Sequence, residues 1–314
     1  MIQKVHIQNF RCLRDVELTL EPLTVLVGPN SSGKTTLMEG LKAYDRSVLS
    51  LSDFWQQNTA SAIEITWTLY SMSSHTVRSS VTRDGSYQFS SLNESGFGSA
   101  QSIQFDLAAL RQDNTLAREH NLSPEGGNLT NVYASLTRQN QGAVAKELCR
   151  LVPMFSDVDV QPIDRGRLQF RFQDRWNPGF WLSPHQVSDG TMLLLAFIVI
   201  QYQMPQVKLI TIEEPERALH PYLLDELIQL LRKMTTGEIG KNPVQVVLAT
   251  HSAELLEYVR PEEVRFLTRS PEDGSVQVNQ ASTGSENWRR VYEEYKRSLG
   301  SIWLSGGMGG VPGE

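Results

Sequence analysis

The stretch Gly28–Thr35, GPNSSGKT, decides what the rest of the chain has to be. It fits the pattern GxxxxGK[ST] without a mismatch, follows the apolar run LTVLV and opens a helix-forming segment. Glycines at those positions let backbone N–H groups close around phosphate oxygens, and the helix N-terminus adds a positive dipole end. In such a loop Lys34 neutralises the β- and γ-phosphate oxygens and Thr35 offers its hydroxyl to Mg²⁺. Asn30, Ser31, Ser32, Gly33 and Thr36 complete the cradle. The implied ligands are ATP and Mg²⁺.

A phosphate loop of this type needs carboxylates at a neighbouring strand end. LITIEEPE, Leu209–Glu216, supplies them at the carboxyl end of an apolar strand. Glu213 is assigned to Mg²⁺, directly or through water, and Glu214 to orienting and deprotonating the attacking water. Tandem acids on a strand face opposite sides, so the turn after the strand has to let both approach one centre, and Pro215 ends the strand there. In LATHSAE, Leu248–Glu254, His251 directly follows a third buried strand and reads as a γ-phosphate sensor. Lys34, Glu214 and His251 are the candidate catalytic residues. Strand ends in open α/β sheets face the ligand crevice, which places all three along one edge.

LSPHQVSDGTMLLLAF, Leu182–Phe197, carries a Ser-x-Gly turn that opens a strongly apolar helix. Ser188 with the amides of Gly190 and Thr191 forms a second helix-N-terminal anion site. One chain cannot easily present two such sites to one phosphate, whereas two chains placed head to tail can. Asp189 puts a negative charge into that turn, which has to point away from phosphate or find a cation.

Around these motifs the chain alternates strands and helices. KVHIQNF, VELTL and LTVLVG read as strands, and GKTTLMEGLKAYDRSVL as a helix directing Leu37, Leu41 and Leu49 to a core. IEITWTLYS, HTVRSSVTR and YQFSSL form a small meander with RDGS, Arg83–Ser86, as a turn signal. Ser/Gly/Asn-rich loops follow, then one helical segment, NLTNVYASLTRQNQGAVAKELCRLV. Strands at VDVQPI and RLQFRFQ precede a helix over Asp189–Gln203, the strand VKLITI, the helix PYLLDELIQLLRKM and the strand VQVVLAT. Buried strands alternating with amphipathic helices predict an α/β fold with a largely parallel sheet. The boundaries read as 1–50 and 157–285 for the nucleotide-binding head, 51–156 for an inserted meander and helical region, and 286–314 for a C-terminal helix and Gly-rich tail.

Net charge is −6 and the pI about 5.6, the wrong sign for a whole-surface grip on DNA. Only a local basic groove would hold DNA. Cys12 and Cys149 have no CxxC or metal spacing and read as reduced, buried thiols. The opening MIQKVHIQNF lacks a signal-peptide core, and MLLLAFIVI, nine residues, is too short to span a bilayer. These features predict a cytoplasmic protein without a membrane partner.

The motifs in this order resemble the head of ABC-type ATPases, in detail the RecF/SMC-like branch. IQNFRCLRDVELTLEPLTVLVGPNSSGKTTLMEGL is similar to that branch's start, whose NFR arginine, here Arg11, nears the phosphates. EEPERALHP resembles its Walker B plus D-loop, and VSDGT its signature loop. Gln56 or Gln57 in DFWQQN would be the Q-loop glutamine. The resemblance covers about 1–50 and 180–270 and implies an ABC-type head with a mixed, largely parallel sheet and an N-terminal β-subdomain. The layout looks like the stand-alone bacterial AAA family ATPases of OLD type, many of them encoded beside a nuclease in phage-defence operons. OLD-type proteins carry a TOPRIM nuclease. The 63 residues after His251 lack a spaced acidic cluster in a βαβ frame, so the expected nuclease, of TOPRIM or HNH type, is another chain.

The motif set therefore predicts a slow regulatory ATPase that dimerises head to tail around ATP and controls a separately encoded effector in anti-phage defence. The alternative is a RecF-like repair or maintenance ATPase that binds DNA directly. A nucleotide-gated scaffold without significant hydrolysis is a third reading. A transporter subunit is the weakest, because the middle block lacks that family's helical pattern.

Overall fold

Two antiparallel strands, β1 (Ile2–Phe10) and β2 (Leu13–Thr19), open the chain, with Val5 opposite Leu18 and Ile7 opposite Val16. The computed structural model describes residues 1–42, 51–69, 75–82, 87–91, 100–204, 207–238 and 242–306. β3 (Leu23–Val27) is buried at every residue, as expected of a strand covered on both faces. α1 (Lys34–Lys42) follows the Gly-rich loop and buries Leu37, Met38 and Leu41. Its expected continuation to Leu49 lies outside the described residues.

β4 (Ile63–Leu69), β5 (His75–Val81) and β6 (Tyr87–Ser91) are the expected meander, whose RDGS turn also lies outside the described residues. These strands continue the N-terminal hairpin, in the order β2-β1-β4-β5-β6. Ile65 lies opposite Ile7 and Trp67 opposite Val5. The buried face of β4, carrying Ile63, Ile65 and Trp67, repeats every second residue and so matches the buried face of β1. Met1–Ala100 belong to one compact unit that also includes Glu213–Pro215 and Gln245–Glu314, and the second unit holds Gln101–Ile212 and Glu216–Val244.

The chain then runs through β7 (Ala100–Ile103), β8 (Asn114–Thr115), α2 (Leu129–Ser135), α3 (Arg138–Leu151), β9 (Phe155–Ile163), β10 (Arg167–Asp174) and β11 (Trp181–Leu182). It continues through α4 (Asp189–Ile200), β12 (Leu209–Glu213) and α5 (Tyr222–Thr236). In the second unit β10 pairs with β8, β9 and β11, and β12 neighbours β7. The single helix expected from NLTNVYASLTRQ onward is two helices. The Thr137 hydroxyl accepts the Asn140 N–H and caps α3, so the backbone leaves helical geometry after Ser135. α4 buries Gly190 to Ile200 without a gap, which explains the apolar run as core. It stops before Gln203, since Gln201 turns its amide back to the Phe197 carbonyl. Among the described residues no helix is long and apolar enough to cross a membrane.

Back in the first unit come β13 (Gln245–Thr250), β14 (Val264–Arg269), β15 (Val276–Gln280), α6 (Glu286–Glu294) and α7 (Leu299–Leu304). β13 and β14 flank β3 in parallel and β15 runs antiparallel to β14, making a mixed sheet. The register decides where the chemistry sits. Thr250 lies beside Val27, so His251 and Gly28 leave the sheet at the same edge. Phe266 also lies beside Val27, which carries Arg269 beyond that edge.

Candidate nucleotide-binding site

The Gly28–Thr35 loop takes the conformation its composition allows. Ser31 has a φ of 64° and Gly33 of 102°. At Gly33 a Cβ would also lie 2.5 Å from Val276 Cγ2, so both backbone and space require glycine. The loop folds around its own lysine. Lys34 is buried, and its Nζ donates to the carbonyls of Gly28 at 2.8 Å and Pro29 at 2.9 Å. The same Nζ stands 3.5 Å from His251 Nδ1, across the edge that the Thr250–Val27 register brings together.

The tandem acids resolve their facing problem through the backbone. Glu214 takes a φ of 45°, rare for a residue with a Cβ, while its N–H donates to the Ala249 carbonyl at 2.8 Å. That turn sends Glu213 and Glu214 into the same cavity. Thr35 Oγ1 donates to Glu213 Oε2 at 3.2 Å, and Glu214 Oε1 lies 3.9 Å from His251 Nε2. Backbone strain of this kind, of order 1–3 kcal/mol, persists where surrounding structure enforces it. Here the Ala249 bond is one of the contacts that hold it.

Burial pushes the His251 imidazole below its ordinary pKa, and the Lys34 ammonium pushes it further. The Glu214 carboxylate and a hydrogen bond with the Gly28 backbone oppose both. His251 is therefore neutral near pH 7, with one ring nitrogen toward the ammonium and the other toward the carboxylate.

The cavity has a volume of about 250 Å³. Asn30, Ser31, Gly33, Lys34, Thr35 and Thr36 of the loop line it, together with Glu213, Glu214, Ala249, His251 and Arg269. Ser32 is buried behind it, its Oγ 3.5 Å from Lys34 Nζ. Arg269 is the residue that motif reading misses. It donates from Nε to the Ser31 carbonyl at 2.8 Å and from Nη1 to the Gly274 carbonyl at 2.6 Å, bracing the loop where its backbone is left-handed. The available signal was an arginine ending the apolar strand VRFLT.

Five candidate residues lie elsewhere. Arg11 does not line the cavity: its Nε donates to Asp53 Oδ1 at 2.7 Å, its Nη1 bonds to Glu39, and its guanidinium covers the Phe10 ring. A phosphate would have to compete with two carboxylates for it. Ser188 and Gly190 belong to the second unit. There Ser188 Oγ caps α4 by accepting the Thr191 N–H at 3.2 Å, and a Cβ on Gly190 would lie 2.9 Å from the Ala218 carbonyl. Gln56 and Gln57, both at positive φ, are not among the cavity's lining residues.

The donor set fits phosphate and a hard cation. A hydroxyl and a carboxylate in contact, Thr35 and Glu213, are oxygen ligands of the kind Mg²⁺ takes, while Lys34 and Arg269 supply positive charge. No group of three His, Cys, Asp or Glu able to hold a metal occurs among the described residues. A cation here would take its other ligands from phosphate and water. The volume falls below the roughly 300–1,000 Å³ of sites that engulf a whole small molecule, and among the described residues no Phe, Tyr or Trp lines it.

Such a loop, paired carboxylates at a strand end and a histidine directly after the next strand define a P-loop nucleotide-binding protein of the α/β class. Residues 23–257 match the family described as "AAA domain, putative AbiEii toxin, Type IV TA system", and the chain belongs to that family. It is similar to the OLD nuclease of Thermus scotoductus, with 24% identity over 88% of this chain and 63% of that protein, so it spans under two thirds of the relative's length. Among solved structures it resembles the SMC head domain from Thermotoga maritima, with a TM-score of 0.60, 14% identity and coverage of 89% of this chain and 98% of that one. It also resembles the Smc head domain with an extended coiled coil bound to the C-terminal domain of ScpA from Pyrococcus furiosus, with a TM-score of 0.58, 12% identity and coverage of 94% and 99%. The ABC-type head with a mixed sheet, and the resemblance to the RecF/SMC-like branch and OLD-type proteins, agree with these findings.

Proposed function

We propose that the chain is an ATP-binding and slowly hydrolysing regulatory ATPase that dimerises head to tail with ATP sandwiched, and that this association controls an effector nuclease in anti-phage defence. The observation that carries the reading is the convergence of Lys34, Thr35, Glu213, Glu214 and His251 on one cavity. In it, Lys34 and the loop amides hold the β- and γ-phosphates, and nucleotide has to draw the Lys34 ammonium from its carbonyl partners. Thr35 and Glu213 would hold Mg²⁺, which when bound neutralises phosphate charge. Glu214 orients water and takes its proton, and neutral His251 donates a hydrogen bond to the γ-phosphate.

The cavity's small volume supports a composite site whose remaining walls come from a second copy, through Ser188 and Gly190 at the start of α4. The effector in this reading is a separately encoded nuclease of TOPRIM or HNH type. The relative's name and the family's toxin–antitoxin description support coupling to a damaging partner. The acidic balance, −6, disfavours the alternative of a RecF-like ATPase gripping DNA itself. A cytoplasmic location follows from the same reading.

Sedimentation of the Glu214→Gln variant with and without ATP tests this. The reading requires an ATP-dependent dimer. A monomer at saturating ATP refutes it.

A further inference from the structure

Asp189 poses an electrostatic problem within the reading above, and the structure contains an answer. An acid in the first turn of a helix is favoured by the dipole, yet the same charge repels a phosphate brought to that helix end. Arg111, at the end of the short helical turn Ala109–Arg111, meets it. Its side chain is only 14% exposed. Nη2 donates to Asp189 Oδ1 at 2.5 Å, while Nη1 donates to the carbonyls of Val187, at 3.0 Å, and Pro184.

One guanidinium thus ties two backbone carbonyls before Ser188 to the carboxylate after it. On the far side, Gly190 lies against the Ala218 carbonyl, where a Cβ would approach to 2.9 Å. Ala218 itself has a φ of 64° and belongs to the segment that follows the tandem acids. The Ser188–Gly190 turn is therefore clamped between an arginine and a backbone carbonyl. An ion pair whose acid is half exposed contributes little to folding stability. The two carbonyl bonds are more than charge neutralisation needs, and they point to positioning.

We infer that Arg111 is a positioning residue for ATP-driven association, fixing the Ser188–Gly190 turn and cancelling the Asp189 charge so that the turn can meet the triphosphate of a second copy. The inference rests on the head-to-tail reading. It makes a prediction that a purely structural lock does not, because the two partners of the pair act in opposite directions. Asp189→Asn leaves the turn with the Arg111 charge uncancelled, Arg111→Gln leaves it negative, and the double variant restores neutrality.

The test is the dimer dissociation constant by analytical ultracentrifugation, with saturating ATP and Mg²⁺ in a Glu214→Gln background, at low and high salt. Asp189→Asn should tighten the dimer roughly two- to fivefold per site, and the gain should shrink at high salt. Arg111→Gln should weaken it by at least as much, and adding Asp189→Asn to it should recover part of the loss. If Asp189→Asn weakens the dimer or leaves it unchanged, the charge-cancelling role is wrong, and that single variant decides even where Arg111→Gln folds poorly. If the Glu214→Gln parent itself fails to dimerise with ATP, the head-to-tail reading fails and this inference falls with it.

Discussion

The Lys34 ammonium lies 3.5 Å from Nδ1 of His251, although 217 positions separate the two residues in sequence. The parallel register of β3 and β13 makes this contact, because Val27 and Thr250 end their strands side by side. The candidate phosphate-binding lysine and the candidate phosphate sensor are thus already in contact, through the ring nitrogen that faces away from Glu214.

Lys34→Ala should abolish ATP binding and ATP-dependent assembly. Nucleotide binding measured by isothermal titration checks this, and unchanged affinity would remove the phosphate-binding assignment.

Glu214→Gln should bind ATP with near-parental affinity and hydrolyse it more slowly by on the order of 10²-fold or more, since a general base contributes about that much. Steady-state phosphate release is the measurement. A parental rate would move the base to another residue.

His251 sits below the ordinary imidazole pKa of about 6.5 because it is buried and faces Lys34. The sign follows: the folded state binds the proton less readily, so the stability His251 contributes is complete above about pH 6.5 and is lost as pH falls through the depressed value. Hydrolysis should fall over the same range. NMR titration of the His251 ring checks the direction, and Lys34→Met should raise its pKa part of the way, since burial is the larger cause. A ring titrating at or above 6.5 in the parent would contradict the geometry.

Arg269→Ala should weaken ATP binding roughly tenfold, the order expected for a lost hydrogen bond from a charged group, by releasing the Ser31 carbonyl. Fluorescent-nucleotide titration measures this. A loss of thermal stability with unchanged affinity would make Arg269 merely structural.

Much of this site was legible in sequence because each of its motifs is local: a Gly-rich loop, two acids and a histidine, each directly following an apolar strand. What pattern reading left out is what depends on register or backbone. Arg269 reaches the loop only because Phe266 pairs with Val27. The shared direction of Glu213 and Glu214 comes from one left-handed φ that nothing in EEPE specifies. The Asp189 charge has to point away from phosphate or find a cation, but its partner Arg111 lies 78 positions away, where spacing cannot find it. In the fold, the alternation of β4 marks a strand without naming β1 as its partner, and the break at Thr137 was outweighed by the helical periodicity on either side.

The central claim, a nucleotide site completed by a second copy, is tested most directly by mixing two inactive variants. Lys34→Ala removes a chain's own phosphate loop, and Ser188→Arg blocks the turn it offers to its partner. Neither variant alone should hydrolyse ATP or dimerise with it. The mixture should recover activity, because the unmodified loop of the Ser188→Arg chain meets the unmodified turn of the Lys34→Ala chain. A mixture as inactive as its components, or an Ser188→Arg variant that dimerises and hydrolyses normally, would contradict the account.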